Sequence, residues 1–502
     1  MKPYQIKAIR TNLGMSQSKL ARQLNVTVTT ISLWETGRTS PAHTQREGLL
    51  ALERKTLCPP PLSAFRPIQY LGSKMKVASQ ICGLMESISA PGDKVGDLFS
   101  GSAVVSSVLT QKRYTVAVDM QRYSSVLAEA LLCGHAESAA ELRSPEFQRA
   151  FEAAECRLLD QYRELVAIDD CALAAAAEGE GHLLDELISF GSVAAYLQCP
   201  KPDSPQEFQR ALASVARRVS GAEARNLKGT ASLYYGGVYF SLRQAIALDA
   251  ISVGLGQVSS EARLLGFSVL LSVASELANT VGKQFAQPMR IIKANGVAQS
   301  LLLARAARDR QINVLSAWAS WLDRWEGALA QSRLGGSAVN EDVLTFVDND
   351  SECTAFYADP PYTIDHYSRF YHVLETLALG DAPTLGTQRK GGAEVIMRGL
   401  YRAGRHQSEF SVPSSVQSAF QRLFKGVSRG GRSLVLSYSP FDSTKGHRPR
   451  LLGLKEITDL AGAEFRRVEV VGVENHSHRK LNTRELNVES PSSGEILIVC
   501  EV

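Results

Sequence analysis

The sequence predicts an all-α unit followed by an α/β domain that a long, mainly helical region interrupts. Three observations predict it. Short helical patterns run through the first 55 residues; a strand, turn, helix and strand follow one another from Val95 to Asp119; and a second apolar strand enters Asp359-Pro360-Pro361-Tyr362, 258 residues after Gly101. At 502 residues the chain has room for about three domains. Its 44% hydrophobic and 21% charged residues exclude wholesale disorder and collagen-like repetition.

In the N-terminal unit, helical patterns cover Tyr4 to Asn12, Ser16 to Leu24 and Thr27 to Glu35, and a fourth helix is expected from Thr44 to Lys55. Leu20, Ala21 and Leu24 form one apolar stripe; Val28, Ile31 and Trp34 form another. Ser16 and Thr27 are expected N-caps because their hydroxyls can accept a free N–H of the first turn, and Asn25 supplies the tight turn between two helices. Two short helices so joined have the geometry of a helix-turn-helix. The segment MSQSKLARQLNVTVTTISLWETGRTSP, Met15 to Pro41, closely resembles the helix-turn-helix of the Cro/C1 (XRE) repressor family. The resemblance implies that the third helix enters the major groove, which makes Thr27, Thr29, Thr30 and Ser32 candidates for base or phosphate contact and Gln17 for phosphate contact. Nine Lys or Arg against three acids in residues 1–55 suit such a partner.

A proline-rich stretch from Cys58 to Pro67 reads as a stiff spacer. The expected division is therefore residues 1–56 as the helix-turn-helix domain, 57–66 as linker, 67–130 with 345–502 as the α/β domain, and 131–344 as the helical insertion. The eight cysteines are scattered without a C-x-x-C pair, which argues against a zinc ribbon or a disulfide framework and for a reduced cytoplasm. The N-terminus lacks the apolar core of a signal peptide, and the most apolar stretch, Leu264 to Ala278, carries serines and Glu276 and falls short of a span. Export and membrane insertion are not expected.

The α/β elements carry the chemistry. The strand from Val95 meets the small-residue turn Phe99-Ser100-Gly101-Ser102-Ala103, a helix begins at Val104, and the strand Tyr114 to Val118 ends on Asp119. Small residues let a ligand approach the backbone, and a terminal acid can bond ribose hydroxyls. Phe356 to Ala358 forms a strand that cannot continue through two prolines, so Asp359 is held in a rigid loop at a strand's carboxyl end, where open α/β sheets bind ligands. A carboxylate beside a backbone carbonyl can accept both hydrogens of an amino group, and the next aromatic offers a stacking face.

With YLGSK (Tyr70 to Lys74), DLFSGS (Asp97 to Ser102) and Asp359-Pro360-Pro361-Tyr362 in that order, the chain resembles the Dam-type adenine-specific DNA methyltransferases. The element YYGGVYFSLRQAIALDAI, Tyr234 to Ile251, resembles a segment of longer bacterial adenine methylases. The resemblance implies a Rossmann-like S-adenosylmethionine-dependent fold. It implies Asp359, Pro360, Pro361 and Tyr362 as catalytic residues, and Tyr70, Gly72, Lys74, Asp97, Phe99, Gly101 and Asp119 as residues that line the cofactor. It further implies double-stranded DNA as partner and no metal; a restriction or defence-system protein is a further candidate partner, whose existence lies outside the chain. Two positions depart from the family: Ala103 stands where a second glycine is usual, and Asp97-Leu98 replaces Glu-Pro. If the backbone at 103 needs positive φ, the alanine methyl weakens the turn.

The expected activity is site-specific methylation of the adenine amino group on a flipped base. The alternative is a transcriptional regulator whose methyltransferase-like domain is inactive or senses the cofactor. Amino methylation of cytosine shares the geometry. His366, His372 and the His476-Ser477-His478 cluster read as solvated or satisfied polar residues, and Asp342 to Glu352 as a surface loop. The formal charge of +4 conceals opposite regions: ten acids against two arginines from Glu152 to Glu186, and twelve Lys or Arg against three acids from Arg389 to Arg450. The latter stretch is a candidate second DNA footprint.

Overall fold

The computed structural model describes residues 6, 10, 16–46, 48–49, 64–200, 204–220, 229–439, 450–472 and 495–502. Residues 1–63 and 64–502 form separate compact units. The expected first helix lies mostly outside the described residues, as do residues 57–63 of the linker and the histidines at 476 and 478.

In the first unit, helices Gln17–Gln23 and Val28–Glu35 are capped by Ser16, which accepts from Lys19 N, and Thr27, which accepts from Thr30 N. Asn25 sits at φ 52° between them, a left-handed conformation that asparagine tolerates. Leu20, Ala21, Ile31 and Trp34 bury the two stripes against Ile6 and Leu49.

The second unit is built on a seven-stranded sheet in the order β3-β2-β1-β4-β7-β9-β8. The strands are β1 (Lys94–Leu98), β2 (Tyr114–Val118), β3 (Gly336–Val339), β4 (Cys353–Ala358), β7 (Ser433–Tyr438), β8 (Arg467–Gly472) and β9 (Ile496–Glu501); β5 (Thr387–Lys390) and β6 (Ala393–Ile396) form a separate hairpin. Strands β3, β2, β1, β4 and β7 are parallel, whereas β9 runs against both β7 and β8. Successive side chains point to opposite faces. Leu98, Phe356, Ala358, Leu434 and Leu436 join a core with helices Val343–Asn349, Val416–Arg429 and Leu454–Gly462. Asp97, one residue out of phase with Leu98, turns to the other face and the helix Val104–Leu109.

Between β2 and β3 the chain makes a helical insertion whose core is continuous with the helix Arg122–Cys133. Its two ends are clasped together by Arg333, which donates to the carbonyls of Leu131 and Gly134, and Leu334 N ties the far end to Thr110 O, ahead of β2, at 2.7 Å. The buried pair Arg310 and Asp169 holds its interior.

Two expectations need correction. The range 131–344 assigned to the insertion contains β3, the edge strand of the sheet. Its four residues, Gly-Ser-Ala-Val, are too short and too weakly apolar to signal a strand. Asp342 to Glu352, read as a surface loop, contains the helix Val343–Asn349, N-capped by Asp342 and burying Val343, Leu344, Phe346 and Val347. Those four positions have helical spacing, which the surrounding acids obscured.

Candidate active site

The turn after β1 is wound by three residues in the left-handed region: Phe99 (φ 62°), Gly101 (φ 53°) and Ala103 (φ 57°). Asp119, at the end of β2, fastens it, one carboxylate oxygen accepting from Gly101 N at 2.9 Å and the other from Gln121 N at 2.8 Å. Burial raises the Asp119 pKa, and these two N–H bonds oppose the rise. A Cβ on Gly101 would stand 2.7 Å from the Tyr70 ring, itself stacked on Tyr371 with centroids 4.8 Å apart.

Ala103 is fully buried and occupies the position that prefers glycine. Two substitutions here should therefore behave oppositely to their usual order. Ala103→Gly trades a buried methyl for relief of left-handed strain and is expected to stay within about 0.5 kcal/mol of the parent. Gly101→Ala adds both strain and a clash and is expected to cost about 2 kcal/mol. Urea denaturation of the two variants checks this; a larger loss for Ala103→Gly than for Gly101→Ala would refute the assignment of strain.

A cleft opens at the carboxyl ends of β1, β2 and β4. Tyr70, Phe99, Asp119, Asp342, Asp359 and Phe410 are among its walls, and Phe99 meets Phe410 edge-on at 5.1 Å. Asp342 and Phe410 were not anticipated. Asp97 does not line this cleft. It is buried beneath the turn, where Ser106 Oγ donates to it at 2.5 Å, and burial raises its pKa to about 7. The alternation of β1 explains the difference, since a residue adjacent to Leu98 must face the opposite side.

At the end of β4, Asp359 lies 2.6 Å from the Lys74 ammonium, which is 3.0 Å from Glu495 and donates to Gly72 O at 3.0 Å. The side chains of Lys74 and Glu495 are 4% and 1% exposed, but Asp359 keeps 21%, directed at the cleft it lines. Burial pushes the Asp359 pKa up to about 6, with Lys74 pulling it down and Glu495 adding to the rise. Burial alone would discharge Lys74; the two carboxylates outweigh it and hold the lysine pKa well above its ordinary value. Glu495, just before β9, is a component that sequence reasoning missed.

Tyr362 is turned toward Tyr438, edge-on at 5.6 Å, with the Arg450 guanidinium 4.6 Å from its ring centre, while Pro361 lines the cleft. The loop beyond is braced from the insertion: Phe285 N donates to Phe370 O at 2.8 Å, and Tyr239 OH donates to Phe285 O at 2.7 Å. His372 belongs to this brace, its Nε2 3.1 Å from Phe285 O, and burial lowers its pKa to about 3.

Residues 70–161 match the family model described as D12 class N6 adenine-specific DNA methyltransferase. The chain thus carries an N6-adenine DNA methyltransferase-type region on a Rossmann-like α/β sheet. Residues 6–42 match a helix-turn-helix model. Modification methylase LlaI of Lactococcus lactis subsp. lactis is 32% identical over 127 residues, which is 25% of this chain and 17% of that protein. The matched methyltransferase-type region contains Tyr70, Gly72, Lys74, Phe99, Gly101 and Asp119; Asp359 to Tyr362 lie beyond it.

The helix-turn-helix candidates divide into two groups. Thr27 and Thr29 are exposed, and Ser32 is half-buried. Gln17 is drawn inward, its Nε2 donating to Glu35 at 2.8 Å, and the Thr30 hydroxyl lies 2.8 Å from that of Thr27. The exposed pair is thus the more accessible to a partner. Among the described residues no helix is long and apolar enough to cross a membrane.

Proposed function

We propose that the chain is a cytoplasmic, site-specific DNA adenine methyltransferase of the Asp-Pro-Pro-Tyr type. It transfers a methyl group from S-adenosylmethionine to the exocyclic amino nitrogen of adenine, and its helix-turn-helix binds an operator or holds the enzyme on DNA. The observation that carries this reading is the placement of Asp359, partly exposed and paired with Lys74, on the same cleft as Phe99 and Asp119.

The residues present fit the cofactor. Gly101 leaves the turn bare where a side chain would strike Tyr70. Asp119 retains lone pairs for ribose hydroxyls beyond the two N–H bonds it accepts. Phe99, Phe410 and Asp342 offer an apolar slot with a polar edge for a purine. When bound, S-adenosylmethionine supplies an electrophilic methyl on a sulfonium.

The amino nitrogen of adenine is a poor nucleophile because its lone pair is delocalised into the ring. In this reading the Asp359 carboxylate and the Pro360 carbonyl accept its two hydrogens and draw it toward tetrahedral geometry, so that proximity and electrostatics supply the catalysis. Methyl transfer to that lone pair would make the nitrogen a cation, whose extra proton must leave. One proton passes from nitrogen to Asp359. Tyr362 is the aromatic against which the flipped base stacks. The name of the relative, a modification methylase, supports a partnership with a restriction or defence activity.

The test is methyl transfer from labelled S-adenosylmethionine to DNA, followed by identification of the modified base. Asp359→Ala is expected to lower the rate by at least about 10²- to 10³-fold while DNA binding through the helix-turn-helix persists. Full activity in that variant would sink the reading. Absence of any methylated base with the parent protein would favour a cofactor-sensing regulator, for which the left-handed Ala103 is the supporting observation.

A further inference from the structure

Beyond the Asp359 loop lies a second recess, which shares Asp365 and His366 with the first and is otherwise walled by Gln287, Ile364, Arg369 and Tyr401 among others. Its electrostatics are unbalanced. The guanidinium carbons of Arg369 and Arg405 lie 5.7 and 4.8 Å from the centre of the same Tyr401 ring. Among the described residues neither arginine forms an ion pair, although Arg402 nearby is held by Asp381. Arg405 Nε donates to Arg402 O, but its Nη1 is buried with no hydrogen-bond partner among the described residues. The acid in the lining, Asp365, accepts from the Thr363 hydroxyl at 3.0 Å and pairs with neither arginine.

Two like charges gathered on one aromatic ring repel each other. Burial and then the neighbouring Arg369 lower the Arg405 pKa, and burial followed by both arginines lowers that of His366. Such a cluster makes physical sense when a polyanion completes it. The Tyr401 ring attracts both cations and keeps them together, and a guanidinium can bind an oxyanion as a fork through two parallel N–H groups. The Tyr401 ring is itself anchored, its hydroxyl donating to Ala286 O and accepting from Gln287 Nε2 at 2.8 Å. Exposed Ile364, on the same loop as Asp359, supplies an apolar floor.

We propose that Arg369, which lines this recess, and Arg405, gathered on the same Tyr401 ring, clamp the phosphodiester backbone of the DNA strand that carries the target base and grip phosphate next to the flipped nucleotide. The strand's identity rests on the methyltransferase reading; the phosphate chemistry rests on the cluster itself. The clamp lies five to ten residues beyond Asp359 along the loop, and the adjoining segment supplies Tyr401 and Arg405, so gripped backbone is delivered to the mouth of the catalytic cleft.

The experiment uses the full chain with Arg369→Gln, Arg405→Gln and the double variant, plasmid DNA as methyl acceptor, and a salt series. Each lost phosphate contact is expected to reduce the slope of log affinity against log salt by about 0.9, so the double variant should lose nearly two. KM for DNA should rise by about 10-fold per arginine at moderate salt with kcat and S-adenosylmethionine binding little changed. Arg405→Lys, which keeps the charge but not the fork, should restore the slope more fully than the affinity. Unchanged KM and slope in the double variant, with an unchanged urea midpoint, would overturn the clamp. Inorganic phosphate competing with DNA beyond its ionic-strength effect would instead mark a free-phosphate site and also overturn it. If the parent methylates no DNA, the methyltransferase reading fails separately, and the salt slope of equilibrium DNA binding by fluorescence anisotropy decides the clamp by itself.

Discussion

Lys74→Met is expected to lower methyl transfer at neutral pH by about 10²-fold and to destabilise the protein by about 3 kcal/mol, because it takes away the ammonium that lies 2.6 Å from Asp359 and 3.0 Å from the buried Glu495. The pH profile carries the sharper signature. In the proposed mechanism Asp359 accepts amino hydrogens only when ionised, and burial raises its pKa in the parent to about 6. Activity should therefore be full above that value and fall as pH drops through about 6. Lys74 is the group that pulls this pKa down; without it, burial and Glu495 act unopposed and the acidic fall moves to higher pH. Adding Glu495→Gln should recover part of the stability by removing one of the two carboxylates that face the lost ammonium. A Lys74→Met profile coincident with that of the parent would refute the role of the pair.

The second large effect concerns the insertion. Arg310 is wholly buried: its guanidinium is 3.3 Å from Asp169 and donates to the carbonyls of Gly237 and Val238 at 2.8 and 3.2 Å and to Asn279 at 3.2 Å. Asp169 also accepts from Leu242 N at 2.6 Å. Arg310→Met removes every one of these donors while leaving a buried carboxylate and two carbonyls behind, and is expected to cost about 3 to 5 kcal/mol. The double change Asp169→Leu with Arg310→Met should be milder than the single one. Thermal or urea unfolding measures both, and a single variant as stable as the parent would contradict the network.

Much of this architecture could be read from local sequence. Ser16 and Thr27 cap the helices expected of them, and β2 spans Tyr114–Val118 as its apolar run indicated. The prolines after Asp359 stop β4 at Ala358 because they cannot extend its ladder. The question raised by Ala103 is answered by its φ of 57°. Long-range geometry was not legible. Glu495 and Lys74 are 421 residues apart, and a glutamate before an apolar strand carries no mark of the lysine it will meet. Asp342 looked like one acid among several, and its place at the cleft depends on β3, which has no periodicity of its own to announce it. The Arg369 and Arg405 cluster likewise exists only once the segment bearing Tyr401 folds back beside the Asp359 loop.

The clasp at the two ends of the insertion bears on the cost of assembly. Strands β2 and β3 pair side by side although about 200 residues separate them, and closing a flexible loop grows costlier by about 0.6 kcal/mol with each doubling of its length. Once the helices between them have formed their own core, Leu131 and Arg333 are already in contact, and the sheet meets only a short, preorganised crossing. The helical core thus holds together the two ends that the edge of the sheet must join, and contacts within the insertion offset part of the cost of closing so long a loop.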